Sequence, residues 1–297
     1  MLFRSHFLLR SIQFPMESTS EPDEGLVARA RGGDMDAVDA LVRRHQSWVF
    51  NLALRMVWRR EIAEDATQDI LVKAVTRLST FAGRSSFRTW LYRIAVNHLL
   101  NVRNSEMEEQ KMTFANLGVS LEGVPDEDLP DERTLPVDAK VLVEEAKLGC
   151  ITAMLMCLDR RQRLAFILGE VLGETSEAGA GAMEVSPANF RQLLSRARHD
   201  LYQFMNDKCG LIHADNPCRC ARKAAGFMRN GWLDAKNRQF SADRIAAVRD
   251  VAADRLEELQ SLDRKHAELY RDQPFLAGPD LTQRLREVLA ESGFGSR

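Results

Sequence analysis

Long apolar runs are missing from this 297-residue sequence. Nothing approaches the roughly 20 consecutive residues that span a bilayer, so no membrane is expected as a partner. A surplus of either charge is missing too. Lys and Arg number 41 against 43 Asp and Glu, for a net charge of −2. That balance excludes a chain that coats nucleic acid without sequence preference, so any DNA binding must come from local charge. The five cysteines are an odd number, and three of them crowd between Cys209 and Cys220. This is no secreted disulfide framework and points to a reducing, cytoplasmic setting. No stretch alternates like a strand, and no Gly-rich substrate loop or general base accompanies the cysteines, so no catalytic residue is assigned.

What remains is helical periodicity in a chain that is 45% hydrophobic and 28% charged, the balance of a globular protein. The expected class is all-α: two helical domains joined by an acidic linker, with a helical C-terminal extension. Residues 1–23 read as a loose leader, or translation begins at Met16. Residues 24–110 form the first domain, with Leu41, Trp48, Leu52 and Met56 on one stripe. Its second helix opens on acids, and Ser85 or Ser86 caps its third. Residues 111–140, containing LEGVPDEDLPDERTLP, read as linker. A second domain spans 141–207, and 208–297 holds a Cys/His segment and helices near 242–271 and 280–291. Asp280 with Gln283 resembles a capping box for the last of these.

Residues Arg84 to Asn104 hold Arg84, Arg88, Arg93 and Arg103 and no acid, with Phe81, Phe87, Trp90 and Tyr92 interleaved or adjacent. Cations that track phosphates beside aromatic faces that accept unstacked bases suit single-stranded nucleic acid. An amphipathic helix with Trp90, Leu91 and Ile94 in its core and arginines in solvent explains the same composition. In the second domain, an apolar helix (Leu164, Ile167, Leu168, Val171) precedes a Val-Ser-Pro turn and a basic helix. Ser186 is a good cap and Pro187 suits a first helical turn. Asn189, Arg191, Gln192, Arg196 and Arg198 follow, a helix-turn-helix pattern that a plain helical hairpin also produces.

The run AEDATQDILVKAVTRLSTFAGRSSFRTWLYRIAVNHLLN closely resembles region 2 of sigma-70-family factors, in their extracytoplasmic-function (ECF) group. Ser186, Asn189, Phe190, Arg191 and the SRAR string ending at Arg198 resemble region 4. The resemblance implies a non-catalytic sigma factor that brings core RNA polymerase to promoter DNA, with an anti-sigma factor as a candidate further partner. It implies polymerase docking through Asp65, Gln68 and Asp69. It places Phe81 and Asn97 at a pocket for a flipped −10 base, with Arg88, Trp90 and Arg93 beside the strand. It assigns Ser186, Asn189, Arg191, Gln192, Arg196 and Arg198 to the −35 element. A metal- or redox-sensing helix-turn-helix regulator acting without polymerase is the alternative.

Two features depart from the family pattern. EAGAGAM replaces a bulky helix; Gly179 and Gly181 should each cost about 1 kcal/mol, leaving region 4 loosely packed. Leu193 stands where a basic residue is common. Beyond region 4, Cys209, His213, Cys218 and Cys220 have the spacing C-x3-H-x4-C-x-C, a candidate site for zinc or another soft metal, although no cofactor is required. Lys208, Arg219, Arg222 and Lys223 would lower the thiol pKa values, so thiol sensing also fits, as do plain structural cysteines. Cys150 and Cys157 read as core. Ile245, Val248, Ala252, Leu259, Leu262 and Leu269 form an amphipathic stripe that either packs as an extra layer or shields a DNA- or polymerase-binding surface.

Overall fold

The computed structural model describes residues 21–102, 112–130, 134, 138–236, 238, 262–271 and 278–291. Residues 1–20 of the expected leader and the stripe residues Ile245, Val248, Ala252 and Leu259 lie outside them, whereas Asp23 already opens the first helix. No described helix is long and apolar enough to cross a membrane.

The first domain grows from α1 (Asp23–Arg31), α2 (Met35–Val57), α3 (Arg60–Thr76) and α4 (Phe87–Asn101). Leu41, Trp48, Leu52 and Met56 are all at most 2% exposed, as the helical stripe requires. Asp34 caps α2 and Ser86 caps α4, each side chain accepting amides of the first turn. Between α3 and α4 the chain turns through Phe81, and Arg31 at the end of α1 holds that turn by donating to the carbonyls of Leu78 and Phe81.

The linker is more ordered than its composition suggests. Residues Phe114–Gly123 form α5, capped by Thr113. Apolar residues at Leu117 and Leu121, four apart, give it a buried face that the acidic, proline-rich stretch after it lacks.

The second domain contains α6 (Ala139–Met156), α7 (Arg160–Phe166) with a wide π turn (Ile167–Val171), α8 (Ser176–Met183) and α9 (Pro187–Lys208). Leu164, Ile167, Leu168 and Val171 are fully buried. Ser186 caps α9 by accepting from the Asn189 amide at 3.2 Å, with Pro187 in the first turn. The second domain is not loosely packed around its glycines. A Cβ at Gly179 would lie 2.4 Å from the Phe190 ring, so the glycine is the space that this ring fills. Phe190 itself is fully buried. Gly181 faces the other way, where a Cβ would make only an ordinary 3.7 Å contact with Arg93.

The two domains are joined through Arg163, which is 1% exposed. Its guanidinium donates to the carbonyls of Leu155 (2.9 Å), Met156 (3.1 Å) and Leu158 (3.1 Å) around the end of α6, and to Met56 (2.6 Å) at the end of α2. Helix C-termini present orphan carbonyls, and a planar cation with five donors satisfies several at once. Arg160 adds bonds to the carbonyls of Leu100 (2.9 Å) and Val102 (2.6 Å) at the end of α4.

After α9 come α10 (Cys220–Arg229), α11 (Leu262–Arg271) and α12 (Thr282–Glu291). In α11, Tyr270 sits edge-on to Phe166 and His266 stacks on Tyr202 at 4.4 Å. Leu269 packs on the core beside them. α12 lies on α2, with Leu281, Leu285 and Leu289 buried and Arg286 donating to Asp39 at 2.9 Å. The expected capping box is only half formed. Asp280 accepts the Thr282 amide at 3.0 Å, but Gln283 reaches forward to Glu287, an i,i+4 neighbour on the exposed face.

The two glycines give predictions of opposite sign. Gly179→Ala forces the Phe190 ring to move and should cost about 1–3 kcal/mol. Gly181→Ala has room and should gain up to about 1 kcal/mol from helix propensity. Arg163→Met should cost at least about 3 kcal/mol by orphaning buried carbonyls, and Arg163→Lys should not restore it. Urea midpoints measured at constant m-value check all four variants.

Candidate nucleic-acid interface

The acid-poor helix α4 turns two faces to different tasks. Leu91, Ala95 and Val96 point into the core, all at most 1% exposed. Trp90, Arg93, Ile94, Asn97 and Asn101, spaced three and four apart, line a cavity of about 390 Å³ with Lys73, Arg77, His98 and Glu184. Leu91 is core, as the amphipathic reading has it, while the half-buried Trp90 packs on the core and walls the cavity.

The expected residues do not all meet there. Phe81 is 5% exposed and lies in an aromatic cluster, 5.7 Å from Phe87 and 5.5 Å from Trp90 between ring centroids. It supports the wall from behind rather than forming it, because the turn that Arg31 holds tucks its ring inward. Arg88 also points away from the cavity, donating to the Tyr92 hydroxyl at 3.1 Å over the Trp48 ring. Arg93 and Asn97 are exposed on the cavity side.

Sequence reading missed Lys73, Arg77, His98 and Asn101. The signal was the four-residue step from Lys73 to Arg77, which puts two cations on one face of α3. His98 is drawn below its ordinary pKa, first by burial and then by Lys73, while Asp69 opposes the shift. It is therefore neutral near pH 7 and accepts from the Lys73 ammonium through Nδ1. On the same helix α3, Asp65 and Asp69 are exposed and Gln68 is half-buried.

In the second domain, Asn189, Arg191, Gln192 and Arg196 stand exposed along the first turns of α9. Leu193 is half-buried against the core. Arg198 is engaged by Glu170, whose carboxylate is 4% exposed and also meets Arg271 at 3.3 Å. Ser186 is spent on its cap.

Two stretches of the chain match known families. The family Sigma-70 region 2 matches residues 41–107, and Sigma-70, region 4 matches residues 148–201. The ECF RNA polymerase sigma-E factor of Haemophilus influenzae is 30% identical over 184 residues, covering 59% of this chain and 91% of that protein. The chain belongs to the sigma-70 family, in its ECF group. The corresponding sigma-E factor of Escherichia coli (strain K12) is 29% identical over 176 residues, 59% of this chain and 90% of its own. The RNA polymerase sigma-H factor of Pseudomonas aeruginosa is 42% identical over 83 residues, 28% of this chain and 43% of its own length. A solved structure, CnrH in complex with the cytosolic domain of CnrY, is similar at a TM-score of 0.44 and 22% identity, over 63% of this chain and 98% of that one.

Beyond the matched regions, the cysteine segment of this sigma factor departs from expectation. Among the described residues, no three His, Cys, Asp or Glu side chains are arranged to hold a metal ion. The loop is organised by other groups. The Asn216 amide donates to the carbonyls of Asn206 (2.8 Å) and Cys209 (3.0 Å), and Arg219 donates to those of Ala214, Asn216 and Cys218.

Nearby cations do pull the thiol pKa values down, Arg219 at Cys209 and Cys218 and Lys223 at Cys218, but they are outweighed. Burial dominates: it raises Cys209 and Cys218, and pushes Cys220 up to about 12. Several of these cations serve the linker instead. Lys208 pairs with Glu122, Arg229 with Glu127, and Lys223 with Asp126 at 3.0 Å and the Val124 carbonyl at 2.5 Å. Cys150 and Cys157 are half-buried against the core, as read from their helix face.

Raised thiol pKa values leave little thiolate near neutral pH. A thiol-reactive probe should label Cys209, Cys218 and Cys220 more than about tenfold slower than free cysteine, with the difference lost on denaturation. Fast native labelling would contradict the burial described.

Proposed function

We propose that this sigma factor brings core RNA polymerase to specific promoters, reading −35 duplex DNA with α9 and holding the melted −10 strand in the α3–α4 cavity. The observation that carries this reading is the cavity itself. Lys73, Arg77 and Arg93 supply charge for phosphates, Trp90 a face for an unstacked base, and Asn97 and Asn101 donors and acceptors for a base edge. On α9 the exposed Asn189, Arg191, Gln192 and Arg196 are placed to enter a major groove, as a recognition helix does. Arg198 holds Glu170 and serves region 4 packing first.

The exposed acids Asp65 and Asp69, with Gln68 between them, form the polymerase-docking face. The protein acts without chemistry or a cofactor of its own. The C-terminal extension is a brace: α11 packs on the π turn and α9, and α12 on α2 and α3. The described parts of both leave Asp65, Asp69 and the α9 recognition face exposed, which favours a structural layer over a shield.

With core polymerase in vitro, Asn97→Ala should weaken open-complex formation by about 1–3 kcal/mol, the worth of a lost base contact, while core binding is unchanged. Asp65→Ala with Asp69→Ala should do the reverse, lowering core affinity. Normal initiation by both variants would overturn the assignment.

A further inference from the structure

The C-terminal extension and α9 share one buried carboxylate. Glu170 sits on the π turn before α8, which the Leu172 amide closes by donating to the Ile167 carbonyl at 2.9 Å. Turns of this kind recur at functional sites. The Glu170 side chain is only 4% exposed, yet two guanidiniums meet it. Arg198 comes from α9 and engages Oε1 through Nη2. Arg271 comes from the end of α11, with Nη2 at 3.3 Å from Oε2 and Nε donating to the Glu170 backbone carbonyl at 2.6 Å. The Tyr202 hydroxyl stands 3.5 Å from Oε2, and His266 of α11 stacks on its ring.

The two cations differ in what else they can do. Arg271 is tied twice, to the carboxylate and to the main chain, so it stays with Glu170. Arg198 lies seven residues after Arg191, a step that returns to nearly the same stripe of a helix. Both are exposed, each one position beyond a fully buried residue, Phe190 and Ala197. They therefore face the same side, roughly 10 Å apart along the axis. A buried carboxylate stripped of its cation is an uncompensated charge and is strongly disfavoured. Were Arg198 alone with Glu170, turning it toward a DNA phosphate would strand that charge. With Arg271 in place the carboxylate keeps a partner, and the Arg198 side chain, already 46% exposed, is able to swing out.

We infer that Arg271 is a positioning residue for −35 binding: by holding Glu170 it frees Arg198 to take a backbone phosphate of the duplex. This inference rests on the reading of α9 as the duplex reader, and it gives the extension a part in promoter affinity beyond bracing. The exchange trades one cation for another at a fixed acid. The ligand of Arg198 is a phosphate, so its contribution is blind to sequence. It steadies α9 in the groove while Asn189, Arg191 and Gln192 meet base edges.

The test uses the full chain and a short, fluorescein-labelled duplex of mixed sequence, read by anisotropy over a series of salt concentrations. Arg198→Ala should weaken binding roughly three- to tenfold and lower the slope of log affinity against log salt by about 0.9, the mark of one phosphate contact. Arg271→Ala should do the same by acting through Arg198, and Arg271→Lys should recover most of the loss because an ammonium still neutralises Glu170. The double variant should lose no more than either single one. Further loss from Arg271→Ala in the Arg198→Ala background, or an unchanged salt slope for Arg271→Ala alone, would reduce Arg271 to a packing residue and overturn the inference. Arg191→Ala tests the underlying reading separately. If it weakens binding while Arg198→Ala and Arg271→Ala do not, α9 still reads duplex DNA and the exchange of cations is wrong. If no variant alters binding, or none binds, both readings fall.

Discussion

Everything about how the two sigma domains meet depends on one buried cation. Arg163 donates to four carbonyl oxygens at the ends of two helices and the turn beyond one of them. A charge this deep is tolerable only where oriented dipoles replace water, and two helix C-termini supply them. The geometry is demanding, since a planar fork must meet the ends of α6 and α2 at once. That requirement fixes where region 4 stands on region 2.

The glycines of α8 act within that frame. In an isolated helix they would only weaken it. Here they set the thickness of a slab between α4 and the Phe190 ring, and bulk on the inner side would drive the layers apart. The same economy recurs at Gly226, where a Cβ would fall 2.3 Å from Val124, so the linker can lie flush on α10. Packing density, not helix propensity, decides these positions.

The sequence disclosed the helices, their caps and the core stripes, because periodicity and capping are local properties. Ser86, Ser186 and the stripe from Leu41 to Met56 all act as local chemistry predicts. The cationic face of α4 was legible too, through Arg93 and Asn97. What it hid was tertiary. Phe81 and Arg88 differ from their aromatic and basic neighbours only in which way the fold turns them. Gly179 reads as a defect until Phe190 is placed against it. Asn216 and Arg219 organise the cysteine loop, and nothing in their spacing announces it. The cations around the thiols belong to acids some hundred residues upstream, such as Asp126 and Glu127, and no local pattern records that.

That last separation has a consequence for how the molecule comes into being. Val124 leaves the ribosome 99 residues before Lys223, its eventual partner. At synthesis rates of about 5–20 residues per second, the gap lasts roughly 5–20 s. During that interval the acidic connector has been made while Lys223, which fastens it, has not. The connector is therefore tied down late, only once α10 has followed the second domain out.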